Sequence, residues 1–270
     1  MNTTQRLVSI LIIIFMTIYA SAALATTYSS KAEQAYGQGD LTETVKVLRN
    51  AAEQGDIKGQ WLLGTMYDYG NGVPQDYQEA VKWYRKAAEQ GNATAQTSLG
   101  FMYDGGRGVP QNYRDSAKWF RKAAEQGDAL AQWMLGKMYH RGQGVPQDYK
   151  KAVKWSRKAA KQGNVWAQTG LGYNYQRGQG VPQDHKEAVK WYRKAAEQGF
   201  DLAQVNLGFC YAYGQGVSQN YVMAFMWYNL ASAQGNKKAI HNRDQIIKEM
   251  TPAQIEEGKR LSRSFKFIKS

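Results

Sequence analysis

Apolar side chains recur along this chain at helical spacing. Ala95, Leu99, Met102 and Tyr103 stand at i, i+4, i+7 and i+8, which places them on one face of an amphipathic helix. Asn92 precedes this stripe and is positioned to cap the helix N-terminus. A G-x-G-V-P-Q segment follows the stripe, clearest at Gly70 to Gln75. Its glycines stop a helix and permit a tight turn. A second helix then opens on Asp76-x-x-Glu79, similar to a capping box, and Asn112, Asp148, Asp184 and Asn220 repeat that cap. Ala80, Trp83, Tyr84 and Ala87 form the second apolar stripe, and Gly91 is predicted to close the helix in a left-handed conformation. The pattern predicts a helical hairpin.

The hairpin recurs every 36 residues, marked by Gln-Gly pairs ending at Gly55, Gly91, Gly127, Gly163, Gly199 and Gly235. Leu-Gly returns at Leu63-Gly64, Leu99-Gly100, Leu135-Gly136, Leu171-Gly172 and Leu207-Gly208, each with a tyrosine three residues on. Ala80-x-x-Trp83 recurs as Ser116-x-x-Trp119, Ala152-x-x-Trp155, Ala188-x-x-Trp191 and Ala224-x-x-Trp227, so the first position asks for a small residue. Gly64 inside a helix costs about 1 kcal/mol against alanine. Its return in every unit predicts a close helix contact, placed near Ala80.

A lone hairpin cannot bury its own apolar face, so the units must stack. The predicted fold is all-α: a right-handed superhelical α/α solenoid of five tandem repeats over 56–235, with capping helices at both ends. Residues 28–55 read as a degenerate N-terminal hairpin. Residues 236–270 read as the C-terminal cap, with one helix from Asn236 to about Met250. A second opens on Thr251-Pro252-x-Gln254.

Residues 1–25 carry a different signal. Arg6 precedes an apolar run from Leu7 to Tyr19, and small residues follow to Ala23-Leu24-Ala25. That order is expected of a secretory signal peptide cleaved after Ala25. The run is shorter than the roughly 20 residues of a spanning helix. The expected location is periplasmic or secreted, with no stable membrane span after cleavage.

The repeated A-x-x-x-L-G-x-x-Y, G-x-G-V-P-x-D-Y and A-x-x-W-Y-R-K-A-A-E-Q-G resemble the Sel-one-like repeat family, relatives of tetratricopeptide repeats. The resemblance covers residues 30 to about 260. It implies an α/α solenoid acting as an adaptor, a regulator or a secreted bacterial interaction protein. A cysteine-rich branch of that family carries a disulfide in each repeat and is linked to penicillin binding. This chain departs from it, because Cys210 is its single cysteine.

Composition narrows the chemistry. A hydrophobic share of 43% with 13% aromatic residues is too rich for a disordered chain. The single cysteine excludes a disulfide framework or a cysteine-cluster zinc site. His140, His185 and His241 are too far apart for metal-ligand spacing, so neither metal nor cofactor is expected. The G-x-G loops follow helices rather than strands and occur five times, which marks them as turns and not nucleotide sites. Cys210 takes a position held by Met66, Met102 and Met138, as an inert buried thiol would. Asp76, Asp148 and Asp184 are accounted for as caps. No catalytic residue is assigned.

The net charge of +13 concentrates in repeated cations such as Lys82, Arg85 and Lys86. These read as a solvated outer band. Export removes most nucleic-acid partners, and charge alone is not specificity.

The functional signal lies in what the repeats do not share. In related solenoids the first helix of each hairpin lines the concave face. Removing the common core positions leaves Trp61, Tyr69, Phe101, Trp133, Lys137, His140, Arg141, Trp166, Tyr173, Arg177, Phe209 and Tyr213 as partner-binding candidates. Lys58, Asp104, Leu130, Leu202 and Val205 share that face. Trp, Tyr and Arg are the types enriched at interface hot spots. The expected function is an exported, non-enzymatic scaffold for a protein partner, with Lys137, Arg141 and Arg177 selecting an acidic surface. Narrower readings are a periplasmic immunity protein against a phospholipase-type effector, or a secreted host-interaction factor. Glycan stacking on Trp61, Trp133 and Trp166, or β-lactam hydrolysis, belongs to another class, and hydrolysis lacks a nucleophile with a base. The sequence leaves the oligomeric state open.

Overall fold

Every helix of the repeats except Asp201–Tyr213 begins where a side chain satisfies the unpaired amides of its first turn. Asn92 accepts from the Ala95 N–H at 2.7 Å, and Asp128 and Asn164 do the same for Ala131 and Ala167. Asp76 accepts from the N–H groups of Gln78 and Glu79, and Asp184 from those of Lys186 and Glu187. The first helices stop on a left-handed glycine: Gly70, at φ 69°, donates its N–H to the Met66 carbonyl. Gly91, at φ 96°, follows the second helix of its repeat in the predicted left-handed conformation.

The computed structural model describes residues 30–268, and no strand occurs among the described residues. The expected signal segment, 1–25, lies outside them. Helix α1 covers residues 30–37 and α2 Leu41–Glu53. The repeats supply α3 (Ile57–Tyr69), α4 (Tyr77–Glu89), α5 (Ala93–Gly105), α6 (Tyr113–Glu125), α7 (Ala129–Arg141) and α8 (Tyr149–Lys161). They continue with α9 (Val165–Arg177), α10 (His185–Glu197), α11 (Asp201–Tyr213) and α12 (Tyr221–Ala233). Then come α13 (Lys237–Ile246), a 3-10 turn (Ile247–Glu249) and α14 (Pro252–Ser264). The helix expected to reach Met250 thus stops at Ile246 and tightens into the 3-10 turn. Thr251 and Gln254 form the reciprocal capping box that opens α14.

The chain divides into two compact units, one through Ala123 and one from Ala124. In the first, Leu48, Leu63, Met66 and Trp83 form one buried cluster, and Tyr84, Leu99, Met102 and Trp119 belong to the next. In the second, Val153, Ala160 and Leu171 form a cluster, followed by Tyr192, Leu207, Cys210 and Trp227. Helix α14 lies on α12, with Gly258 against the Phe225 ring. The C-terminal segment continues across the same end, where Phe265 meets Trp227 at 5.0 Å and the Ile268 N–H donates to the Glu197 carbonyl.

In four of the five repeats the glycine inside the first helix answers a ring rather than a backbone. A Cβ at Gly64 would stand 2.7 Å from the Tyr84 ring and 3.2 Å from the Ala80 carbonyl oxygen. The contact expected near Ala80 is therefore made chiefly by the aromatic residue one turn further on.

Two polar devices repeat with the hairpins. The buried amide of Gln168 donates to the Ala160 carbonyl of the preceding helix and accepts from Gln198 within its own repeat. Gln96 and Gln204 donate likewise to Ala88 and Ala196. Each such bond satisfies a group that would be costly to bury unpaired. The second device uses the cations. Arg85 donates to the Tyr103 hydroxyl at 2.7 Å, Arg157 to Tyr175 at 2.8 Å and Arg193 to Tyr211 at 2.7 Å, each reaching the next hairpin. Lys86, Lys158 and Lys194 stand 4.3–4.6 Å over the rings of Trp83, Trp155 and Trp191. The basic band expected to be simply solvated is thus engaged in holding hairpins and covering tryptophans.

Candidate binding site

The sequence-selected residues fall in both units, with Trp61, Tyr69 and Phe101 in the first and the others in the second. In the first unit, Trp61 is half-buried against the α4–α5 core, and Phe101 sets its ring edge against Phe120 at 5.0 Å. Tyr69 stands at the C-terminal end of α3 and is 68% exposed. In the second unit, Phe209 and Tyr213 pair along α11 at 4.5 Å. Val205, grouped with this face by sequence, is buried in the α11–α12 core.

Six of the candidates do converge. Trp133, Lys137, His140 and Arg141 from α7, with Trp166 and Tyr173 from α9, line one cleft of about 450 Å3. The turn spacing of α7 places Trp133, Lys137, His140 and Arg141 at i, i+4, i+7 and i+8, hence on one face. Trp133 and Trp166 approach to 5.7 Å between ring centroids, and Trp166 meets Phe200 edge-on at 4.4 Å. Trp166 is 50% exposed, so this row presents a ring to solvent rather than sealing it between hairpins. Lys137 stands 5.6 Å over the Trp133 ring. Arg177 lies 5.8 Å over the Tyr173 ring. No aspartate or glutamate is among the lining residues, so the cleft offers aromatic surface next to positive charge.

Three other lining residues, Ser156, Gly170 and Phe200, carry no large-residue signal in the candidate face, although each breaks the repeat. Ser156 occupies the position of Tyr84, Phe120, Tyr192 and Tyr228. Gly170 occupies that of Leu62, Ser98, Met134 and Asn206, and a Cβ built on it meets nothing within 4 Å. Phe200 replaces the Asp or Asn that caps the four preceding first helices, and α11 has no side-chain cap bond. Losing a cap of that kind costs about 1 kcal/mol. Subtracting large residues from the core pattern finds additions such as Trp133. Truncations stand out only against the side chains that occupy the same position in the other repeats.

His140 Nε2 lies 3.2 Å from the Gln179 amide oxygen, and its ring meets the edge of Tyr149 at 5.1 Å, so packing accounts for it. Cys210 is buried within the α10–α12 core, and burial pushes its thiol up to about 12. No grouping of three His, Cys, Asp or Glu able to hold a metal occurs among the described residues. Nor is any helix among them long and apolar enough to cross a membrane.

Five copies of the Sel1 repeat match the chain, at residues 57–92, 93–128, 129–164, 167–200 and 201–236. The chain belongs to the Sel1 repeat family. Sel1 repeat proteins are protein-interaction scaffolds, typically non-catalytic. A protective antigen present in uropathogenic Escherichia coli strains, displaying an SLR fold, is 39% identical with a TM-score of 0.78. The match covers 90% of this chain but only 56% of the antigen's length. A Sel1 repeat protein from Oxalobacter formigenes is 33% identical with a TM-score of 0.76, over 87% of this chain and 98% of its own. An immunity protein from Pseudomonas aeruginosa shares the fold at 20% identity and a TM-score of 0.51, over 77% and 83% of the two chains. No curated protein matches the chain. This Sel1 repeat protein lacks the paired cysteines of the disulfide-bearing branch.

Proposed function

We propose that this Sel1 repeat protein is an exported, non-catalytic scaffold that binds an acidic protein partner through the aromatic cleft of its second unit. The carrying observation is the convergence of Trp133, Lys137, Arg141, Trp166 and Tyr173 on a cleft without acidic lining. Aromatic rings supply buried area at small entropic cost, while the cations favour a negatively charged partner and accelerate its encounter. Phe209, Tyr213 and Arg177 extend the candidate contacts within the second unit, and Tyr69 is a separate candidate in the first.

Capture from a periplasmic extract, with Trp166→Ala and Arg141→Glu beside the parent chain, tests the reading. Each variant is expected to weaken partner binding at least about tenfold, the range of an interface hot spot. Full affinity in both variants would refute the assignment of the surface. Export is tested separately by N-terminal sequencing of the released protein: a start at Thr26 supports cleavage, and an intact Met1 counts against it.

A second reading, a host-facing factor, draws on the likeness to the protective antigen of uropathogenic Escherichia coli. It predicts the protein in culture medium or on intact cells rather than solely in the periplasmic fraction. Fractionation separates the two.

A further inference from the structure

Four of the five repeats seat an aromatic ring over the glycine of their first helix. A Cβ on Gly64, Gly100, Gly172 or Gly208 would lie 2.7–2.8 Å from Tyr84, Phe120, Tyr192 or Tyr228, respectively. All four rings are buried. The third repeat keeps the glycine, Gly136, but its ring is absent: Ser156 stands there, with Oγ 2.7 Å from the same built position. A second truncation, Gly170, borders the cleft on α9 and faces open space. The third departure, Phe200, gives up a helix cap and places a ring beside Trp166. Three independent breaks in an otherwise regular pattern thus meet in one cleft: the two truncations leave room for a ring that the third repeat does not supply, and Phe200 adds an aromatic wall beside it.

We infer that the vacant seat at Ser156 and Gly170 receives an aromatic side chain of a partner polypeptide, flanked by acidic residues. The ring follows from the seat, because every other repeat fills the equivalent space with tyrosine or phenylalanine. The acidic flank follows from charge: Lys137 and Arg141 border the cleft, and no aspartate or glutamate lines it. An anchor of this kind, a ring in a desolvated pocket with its charges at the rim, is the arrangement in which few residues carry most of the binding energy. The inference rests on the reading of the chain as a protein-binding scaffold and names what that scaffold grips.

The test fills the seat with residues that the chain already uses at the same repeat positions. Ser156→Tyr restores the ring of the neighbouring repeats, and Gly170→Met introduces the side chain found at Met134. The probe is a blocked tripeptide of phenylalanine between two aspartates, titrated calorimetrically into the full chain, with the alanine-centred tripeptide as comparison. The parent chain is expected to bind the phenylalanine peptide saturably and the alanine peptide at least about tenfold more weakly, a difference of about 1.4 kcal/mol. Both variants are expected to keep the parent's helical content and to lose affinity for the phenylalanine peptide by at least about tenfold. The inference is overturned if the parent does not bind this peptide, if the alanine peptide binds equally, or if either folded variant binds as the parent does. Capture of the natural partner keeps the two readings apart. Should Arg141→Glu lose the partner while Ser156→Tyr and Gly170→Met retain it fully, the scaffold stands and the aromatic anchor falls.

Discussion

Emptying a filled seat measures what the third repeat forgoes. Tyr192 in the fourth repeat is fully buried, sits over Gly172, and donates its hydroxyl to the Gln176 amide oxygen at 2.9 Å. Tyr192→Ser removes the ring and leaves a cavity between α9 and α10. Truncating a buried aromatic residue costs about 3–5 kcal/mol, and a lost neutral hydrogen bond contributes about 1 kcal/mol within that total. The serine hydroxyl does not reach Gln176 by the path the phenol takes. We expect destabilisation of about 4 kcal/mol, read as a lower urea midpoint by far-ultraviolet circular dichroism at similar slope. Because stacked hairpins share interfaces, the fourth repeat and its neighbours should weaken together. A loss below about 1 kcal/mol would refute the reasoning, since the ring seats would then be energetically minor. Ser156 would no longer mark a costly vacancy.

Three further outcomes follow from the same structure. Phe200→Asn restores the α11 cap, worth about 0.5–1 kcal/mol, but removes a ring packed on the α10–α12 core and on Trp166, a pair worth about 0.5–1.5 kcal/mol; thermal melts are expected to show no net gain, and a binding assay to show a weaker partner. Cys210, its thiol pushed up to about 12 by burial, stays protonated at pH 8 and is expected to resist thiol reagents until the chain unfolds. The unfolded thiol ionises first as pH rises, so the folded state holds more protons and stability falls above the ordinary thiol range. Buried Tyr84, Tyr192 and Tyr228, each raised chiefly by desolvation, add to that alkaline loss. Unfolding midpoints between pH 8 and 11 give the sign.

Much of the architecture was readable because the same requirement is stated five times. Asn92 and Asp76 are capping residues by type and position, and the structure pairs each with the expected amides. The glycine at 64 signalled a close approach, but spacing alone could not say that the Tyr84 ring makes it. The site was legible in part. Trp133, Trp166 and Tyr173 announce themselves as large residues outside the core pattern, and the fold brings them together. Trp61 and Phe101 look the same in sequence, yet they are taken up by packing in their own unit. Ser156 and Gly170 are small, and a small residue carries no hydrophobic signal. Their meaning appears only against the rings and side chains that occupy the other copies of those positions.

The glutamine hydrogen bonds between consecutive hairpins also bear on how such a chain changes length. Gln168 takes the Ala160 carbonyl, and Gln204 takes Ala196, its counterpart one repeat later. Excising residues 165–200 would bring Gln204 opposite Ala160 in the same register, with Tyr211 facing Arg157. No buried donor would be stranded, and the junction would repeat a joint that the chain already contains. Gene duplication and deletion can therefore add or subtract whole hairpins at little structural penalty, yet losing this one hairpin takes Trp166, Gly170, Tyr173 and Phe200 with it and leaves the α7 side of the cleft without its opposite wall.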